Sequence, residues 1–314
     1  MSNRSLRKVH MLAGPTATGK TDLAHRLARK HEWAVLSADS MLVYRGMDIG
    51  TAKPLPADRA GLRYGGIDLA TPDQSFDVGA WLAHARDFLQ ELPAEQEILV
   101  VGGTGLYFKA LLYGLDPMPS VDPAVREWAE RIYEDRGLDG LRRTCQELAS
   151  ERYAALKDKD NPRRLMRALE LERMGAPHAR VWEQREVEAV PVVLHMPRGR
   201  LDERIEARVE RMFRDGLLDE VRRLQTQYPV WSDTASGAIG YREACAVLNG
   251  EMDEAEARAS IARRTRQLAR RQLTWFRHQL ACEWVDINPG TSEEELAENV
   301  YAVWRRYGPC SITG

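Results

Sequence analysis

Cysteine is scarce in this chain of 314 residues: the four present, Cys145, Cys245, Cys282 and Cys310, form no C-x-x-C pair. Neither a disulfide framework nor a zinc site is suggested, and a reducing compartment fits. Long apolar runs are missing as well. The longest, around Ile98–Val101, is far too short to cross a bilayer. The N-terminus is basic (Arg4, Arg7, Lys8), but His10 breaks its apolar stretch, which argues against a cleaved signal. A cytoplasmic protein without membrane contact is expected. There is no internal repeat and no low-complexity tract. Net charge is only −2, which taken alone argues against a nucleic-acid binder.

One further absence is local. Between Arg258 and Arg277 there is no acid, while seven arginines (258, 263, 264, 266, 270, 271, 277) are present. That window carries +7 against a whole-chain −2, so the rest of the chain carries −9. A basic helix on an acidic body is a different object from a neutral surface. Arg263, Arg266, Arg270 and Arg277 fall near one helical face, and Ile261, Leu268 and Trp275 near another. This stretch alone fits a solvated amphipathic helix as well as an RNA-binding one.

The strongest positive signal is Gly14-Pro15-Thr16-Ala17-Thr18-Gly19-Lys20-Thr21, which fills the phosphate-loop pattern G-x-x-x-x-G-K-[ST] without a mismatch. Glycines let backbone N–H groups turn around an anion, Lys20 adds a point charge, and Thr21 can hold Mg²⁺. The loop follows the apolar run Val9–Ala13 and precedes a helical pattern, Leu23, Ala24, Leu27 and Ala28. A molecule carrying a di- or triphosphate is the expected ligand.

Around this loop, apolar runs alternate with helical patterns, as an α/β sheet requires. Strands are expected at Val9–Ala13, Trp33–Ser37, Glu97–Val101, Val190–His195 and, last, Cys282–Ile287. Helices are expected at Thr21–Lys30, Val78–Leu92 and Leu201–Leu224, with another starting near Asp253, where Asp253 and Glu256 can form a capping box. Past Pro117, Pro119 and Pro123 the character changes to charged helix formers, with Trp128, Ile132, Leu138, Leu141 and Leu148 at helical spacing. The expected fold is α/β: a P-loop NTPase-like core, its parallel β-sheet flanked by helices, over residues 1–117 and 190–314, with an inserted all-helical domain over 118–189.

An ATPase needs a second apolar strand ending in Asp or Glu to hold Mg²⁺ and a water. Here Ile98–Val101 ends in Gly102-Gly103-Thr104-Gly105, and only the second strand offers an acid, Asp39. Carboxyl ends of parallel strands share one edge, so Asp39, Thr104 and Lys20 are expected to converge on one crevice. An acid there can hold the metal or take a proton from the attacking group. It can also simply cap the next helix.

The segment Asp39 to Pro54 closely resembles the signature of the tRNA dimethylallyltransferases (isopentenyl-tRNA transferases) of bacterial type, D-S-x-x-x-Y-x-x-M-D-I-G-T-A-K-P. Val101–Lys109, Asp160–Glu170, Ala238–Arg242 and Thr265–Arg277 also match, in order, so the resemblance spans residues 11–277. It implies transfer of the five-carbon group of dimethylallyl diphosphate to N6 of adenine 37, beside the anticodon in the tRNA stem-loop. The phosphate loop then grips a leaving diphosphate with Mg²⁺ near Thr21, which accounts for the missing ATPase acid. Asp39 matches the residue that removes the N6 proton, Thr104 a neighbour at the reacting centre, and Arg208 an arginine that reaches the diphosphate. Segments implied to line the tRNA are Asp39-Ser40-Met41-Leu42, Arg163-Arg164-Leu165-Met166-Arg167, Gly237-Ala238-Ile239-Gly240-Tyr241-Arg242 and Arg270-Arg271-Gln272-Leu273-Thr274-Trp275-Phe276-Arg277, with Thr104 and Arg126. A monomer is expected.

The chain departs from the family at Arg63-Tyr64-Gly65-Gly66-Ile67-Asp68, where the usual Pro and His are replaced but the aspartate remains, so no role is assigned to that loop. Rival readings are a P-loop small-molecule kinase, an adenylate prenyltransferase of the cytokinin type, and a nucleotide-switched RNA-binding protein. The acid-free arginine helix, ending in Trp275-Phe276-Arg277, favours the tRNA enzyme.

Overall fold

Six short segments lie side by side in the same direction in the computed structural model, which describes residues 6–115, 121–177 and 190–313. They are β1 (Leu6–Ala13), β2 (Ala34–Ser37), β3 (Tyr64–Gly65), β4 (Ile98–Gly102), β5 (Val192–His195) and β6 (Glu283–Asp286), in the order β3-β2-β4-β1-β5-β6. The central strands are apolar at nearly every position because helices cover both faces, and Met11, Leu12, Val35, Leu36, Leu99 and Val100 are fully buried. Leu12 pairs with Val101 on one side and Val192 on the other, while Leu36 pairs with Val100. This register sets the ends of β1, β2 and β4 at one edge.

Two strands were not expected from sequence. The two-residue β3 lies inside the atypical loop after Arg63, where no apolar run announces it. The other is β7 (Cys310–Thr313), so β6 is not the last strand; β7 runs antiparallel beside the first half of β1, pairing Cys310 with Val9.

Helices connect the strands: α1 (Lys20–His31), α2 (Pro56–Arg59), α3 (Val78–Glu91) and α4 (Gly105–Tyr113). The chain divides into two compact units, Met1–Leu112 with Val187–Gly314, and Tyr113–Glu186. The second unit contains α5 (Pro123–Leu148), α6 (Ser150–Ala155) and α7 (Pro162–Arg173) around a core of Leu141, Cys145, Ala149, Leu165, Ala168 and Leu169. Trp128, Ile132 and Leu138 pack on that core, but Leu148 is 55% exposed. The helical spacing does not run unbroken through α5, because Gly137 (φ 62°) interrupts it. The expected domain boundaries, with Pro117 and Pro119, lie outside the described residues.

The remaining helices return to the first unit: α8 (Arg198–Arg214), α9 (Leu217–Gln227), α10 (Asp233–Ser236), α11 (Tyr241–Leu248), α12 (Glu254–Gln279) and α13 (Glu293–Tyr307). The single helix expected over Leu201–Leu224 is two, because the chain turns at Gly216 (φ 96°). The capping box of α12 is present: Glu256 N–H donates to Asp253 Oδ1 (2.8 Å) and Asp253 N–H to Glu256 Oε2 (3.2 Å). Among the described residues no helix is long and apolar enough to cross a membrane.

Candidate active site

The glycine-rich loop leaves β1 and enters α1 with Ala17 (φ 69°) and Gly19 (φ 85°) left-handed, the alternating backbone that turns successive N–H groups to one side. Thr18 Oγ1 donates to Pro15 O (2.9 Å), closing the loop on itself. Lys20 Nζ, buried, donates to the same carbonyl (3.2 Å). Burial pushes the Lys20 ammonium down to about 8; Asp39 draws it back up and Arg208 pushes it further down.

Two arginines from α8 reach the loop. Arg204 Nε donates to Ala17 O (2.8 Å), and Arg208 Nη1 to Thr16 Oγ1 (3.0 Å). Arg208 Nη2 donates to Thr51 O (2.8 Å), while its buried Nε has no partner. Burial lowers the Arg208 pKa against the pull of Asp39. A cavity of about 820 Å³ opens here, with Lys20, Thr21, Lys53, Arg204, Arg208 and Arg211 on its walls. Among the described residues the Thr21 side chain has no hydrogen-bond partner.

The Asp48–Lys53 loop forms the facing wall, held from beneath by one buried carboxylate. Glu220 of α9 accepts the N–H groups of Asp48 (3.1 Å), Ile49 (2.9 Å) and Gly50 (3.4 Å), and the Tyr241 hydroxyl (2.6 Å). Lys53 Nζ, also buried, reaches Tyr44 O (2.6 Å), Asp68 (2.6 Å) and Asp48 (2.8 Å). Asp68, left without a role by sequence, therefore anchors the loop whose Thr51 carbonyl receives Arg208. Glu220 carried no sequence signal, since it acts on a segment remote in the chain, whereas Asp68 showed only as the aspartate that remains in the atypical loop.

At the neighbouring strand ends, Asp39 and Thr104 are joined through Ser40. Thr104 Oγ1 accepts Ser40 N–H (3.0 Å), and Thr104 N–H donates to Ala38 O (3.1 Å). Asp39 Oδ1 accepts Met41 N–H (2.9 Å), and the carboxylate acts electrostatically on both Lys20 and Arg208. Asp39 and Thr104 do not line the 820 Å³ cavity. They stand just past the ends of β2 and β4, and Asp39 acts on Lys20 and Arg208, which do line it. The geometry places an anion-holding cleft beside a carboxylate able to take a proton.

Helix α12 is less free than its sequence suggests. Arg258 pairs with Glu210 (2.9 Å) and Glu254 (3.1 Å), Arg264 with the buried Glu243 (2.6 Å), and Arg266 with Glu206 (3.2 Å). The acids missing from the Arg258–Arg277 window come from other elements and from the first turn of α12. Arg263, Arg270, Arg271 and Arg277 are exposed and make no ion pair among the described residues, though Arg263 donates to Ser260 Oγ (3.3 Å) and Arg277 lies over the Trp284 ring (5.3 Å). Several residues expected on an RNA surface point inward instead. Phe276 packs edge-on against Phe108 (5.7 Å), and Trp275 lies where a Cβ on Gly105 would come within 2.0 Å of its ring, so no other residue fits there. Gln272 Oε1 accepts the Thr16 N–H of the glycine-rich loop (3.0 Å). Leu42, Ala238 and Tyr241 are buried, Gly240 caps α11, and Ile239 and Leu273 are half-buried. Gly237, Arg242 and Thr274 are exposed. Within the helical unit Leu165 is core and Met166 packs on it, Arg126, Arg163 and Arg164 are exposed, and Arg167 pairs with Glu170 (3.2 Å). Side chains that face inward cannot touch RNA, so any such contact by these segments falls to their exposed members.

The sequence profile of the IPP transferases matches residues 42–279, and that of the isopentenyl transferases residues 7–68. A tRNA dimethylallyltransferase of Stenotrophomonas maltophilia is 39% identical over 298 residues, covering 90% of this chain and 93% of the relative. One from Thermus thermophilus is 40% identical over 279 residues, covering 87% and 91%. The tRNA isopentenylpyrophosphate transferase structure of Bacillus halodurans superposes with a TM-score of 0.67 at 31% identity, covering 96% of this chain and 98% of that one. A eukaryotic dimethylallyltransferase acting on tRNA shares the fold (TM-score 0.76, 20% identity, 96% and 79% covered). Its cation-walled cleft, its strand-edge carboxylate and these matches over most of its length agree: the chain belongs to the IPP transferase family of prenyl-transferring enzymes.

Proposed function

We propose that this protein transfers the dimethylallyl group of dimethylallyl diphosphate to N6 of adenine 37 in tRNA, releasing diphosphate. The observation that carries the reading is the pairing of a cleft walled by Lys20, Arg204, Arg208 and Arg211 with the Asp39–Ser40–Thr104 network beside it. The diphosphate sits against Lys20 and Arg208, which stabilise the charge that grows as the C–O bond breaks. Adenine N6 attacks the allylic carbon; as the C–N bond forms, its proton passes to Asp39. Met41 N–H holds one Asp39 oxygen and so orients the other toward that proton. Thr104 aligns the pair through Ser40.

Mg²⁺ fits the cleft as a partner of the diphosphate, with Thr21 supplying an unengaged hydroxyl oxygen. No group of three His, Cys, Asp or Glu side chains able to hold a metal occurs among the described residues. Substrate oxygens and water therefore supply most of its ligands. When bound, it neutralises charge on the departing diphosphate. The core is of P-loop NTPase type, and the helical segment is an inserted domain that contacts tRNA through Arg126, Arg163 and Arg164. Arg263, Arg270, Arg271 and Arg277 meet the phosphates of the anticodon stem-loop, whose splayed bases suit a buried acceptor site. The enzyme works as a monomer in the cytoplasm.

Nucleoside mass analysis of tRNA incubated with protein, Mg²⁺ and dimethylallyl diphosphate tests this directly. Dimethylallyladenosine at the anticodon loop is expected. Steady ATP consumption with unaltered adenines would overturn the reading.

A further inference from the structure

The side chain of Gln272 spans two segments that are remote in sequence and hold different substrates on the reading above. Its Oε1 accepts the N–H of Thr16 in the glycine-rich loop (3.0 Å), and its Nε2 donates to the carbonyl of Gly103 (3.0 Å). Gly103 precedes Thr104, which is bonded to Ser40 beside Asp39. Thr16 also takes Arg208 on its hydroxyl (3.0 Å). One amide therefore links the donor-side loop to the turn that fixes the acceptor-side carboxylate. A Cβ at position 103 would come within 2.3 Å of Gln272 Nε2, so a side chain there would displace this amide.

From this juxtaposition we infer that Gln272 is a positioning residue that sets the distance between the diphosphate loop and the Asp39–Thr104 pair. A side-chain amide of this length accepts from one backbone and donates to the other. Glutamate accepts at Thr16 but faces the Gly103 carbonyl with a charge, and methionine does neither. The residue lies on the inward face of α12 with Trp275 and Phe276, while Arg263, Arg270 and Arg277 occupy the outward one. Its role is thus separate from the cationic surface a few atoms away. Misplacement of reacting groups by about 1 Å can cost on the order of a hundredfold in rate. The effect belongs in turnover, because neither substrate loses a direct contact.

The inference rests on the proposed prenyl transfer, and the test separates the two. Gln272→Met and Gln272→Glu are assayed in single turnover with tRNA and dimethylallyl diphosphate, alongside tRNA affinity and hydrogen exchange of the Thr16 amide. The expected result is turnover lowered about 10- to 100-fold with each KM changed less than about threefold. Thr16 exchange should quicken at least about tenfold in Gln272→Met, while Gln272→Glu retains protection there. A fall in tRNA affinity with turnover intact would assign Gln272 to the RNA surface and overturn the inference, as would unchanged turnover and exchange. If Gln272→Met does not fold, the turnover-against-KM split in Gln272→Glu decides. Should wild-type protein make no prenyladenosine, the functional reading fails, while Thr16 exchange still decides whether the clamp exists.

Discussion

Arg208 on α8 and Arg270 on α12 carry the same guanidinium into opposite circumstances. Arg208 is half-buried with two nitrogens committed to Thr16 and Thr51, and burial depresses its pKa. Arg270, like Arg263, Arg271 and Arg277, is exposed and pairs with no carboxylate. The first arrangement is held in place before any ligand arrives and fits one compact anion. The second is tied to no carboxylate among the described residues and suits a polyanion whose phosphates are spread over a surface. Between the extremes stand Arg258, Arg264 and Arg266, whose charge is already met by Glu210, Glu243 and Glu206. Counting arginines along α12 therefore overstates the field available to RNA.

Asp39 stands where the two regimes meet, and removing it should have the largest effect. Asp39→Ala should lower single-turnover transfer by about two to four powers of ten, the span for a lost general base, with tRNA affinity near wild type in filter binding. Loss of RNA binding instead would move Asp39 from the chemistry to the surface. Arg208→Ala comes next. It should cut kcat/KM for the allylic diphosphate about 30- to 1000-fold, as truncation of a buried charged contact does, and leave the KM for tRNA unchanged. An equal loss for both substrates would erase the contrast drawn above.

The third test uses pH. Free Lys20 loses its proton near 8, below the usual lysine range, and a bound diphosphate favours its charged form. Binding therefore takes up a proton above that pH, so the sign is a weakening as pH rises. Affinity for dimethylallyl diphosphate without tRNA should be flat below about pH 8 as far as Lys20 controls it, then fall by up to about tenfold per pH unit. Calorimetry in buffers of different ionisation enthalpy reads the proton uptake, and Lys20→Arg should flatten the curve. The smallest effect concerns the free arginines. Each exposed one removed, Arg270→Ala for example, should reduce the log–log salt slope of tRNA binding by about 1. Arg264→Ala should leave that slope alone and lower stability by about 1–3 kcal/mol, since Glu243 loses a partner inside the fold.

What could be read beforehand follows from how locally each feature is encoded. The Gly14–Thr21 loop and the strand-end position of Asp39 are contiguous in the chain, and the parallel register follows from buried apolar runs such as Ile98–Val101. The capping box of α12 needs only Asp253 and Glu256. By contrast, Glu220 holds Gly50 across 170 residues, and Gln272 holds Thr16 across 256. No spacing rule links such pairs, so a carboxylate that anchors a loop looks like any helix acid. Gly216 does not announce the break between α8 and α9, because the apolar period resumes on its far side. The pair β7 and β3 escaped because a strand of four or two residues shows too few alternations to stand out.

Ala17 adds a last consequence. It is the one non-glycine residue of the anion loop with a left-handed backbone, a conformation that a side chain disfavours by about 1–3 kcal/mol. Arg204, holding its carbonyl, helps keep it there in the absence of ligand. The disfavoured geometry is thus borne by the folding of the whole domain and not charged to each binding event. A donor molecule arriving at this loop meets amides already oriented, and little ordering entropy is left for it to overcome.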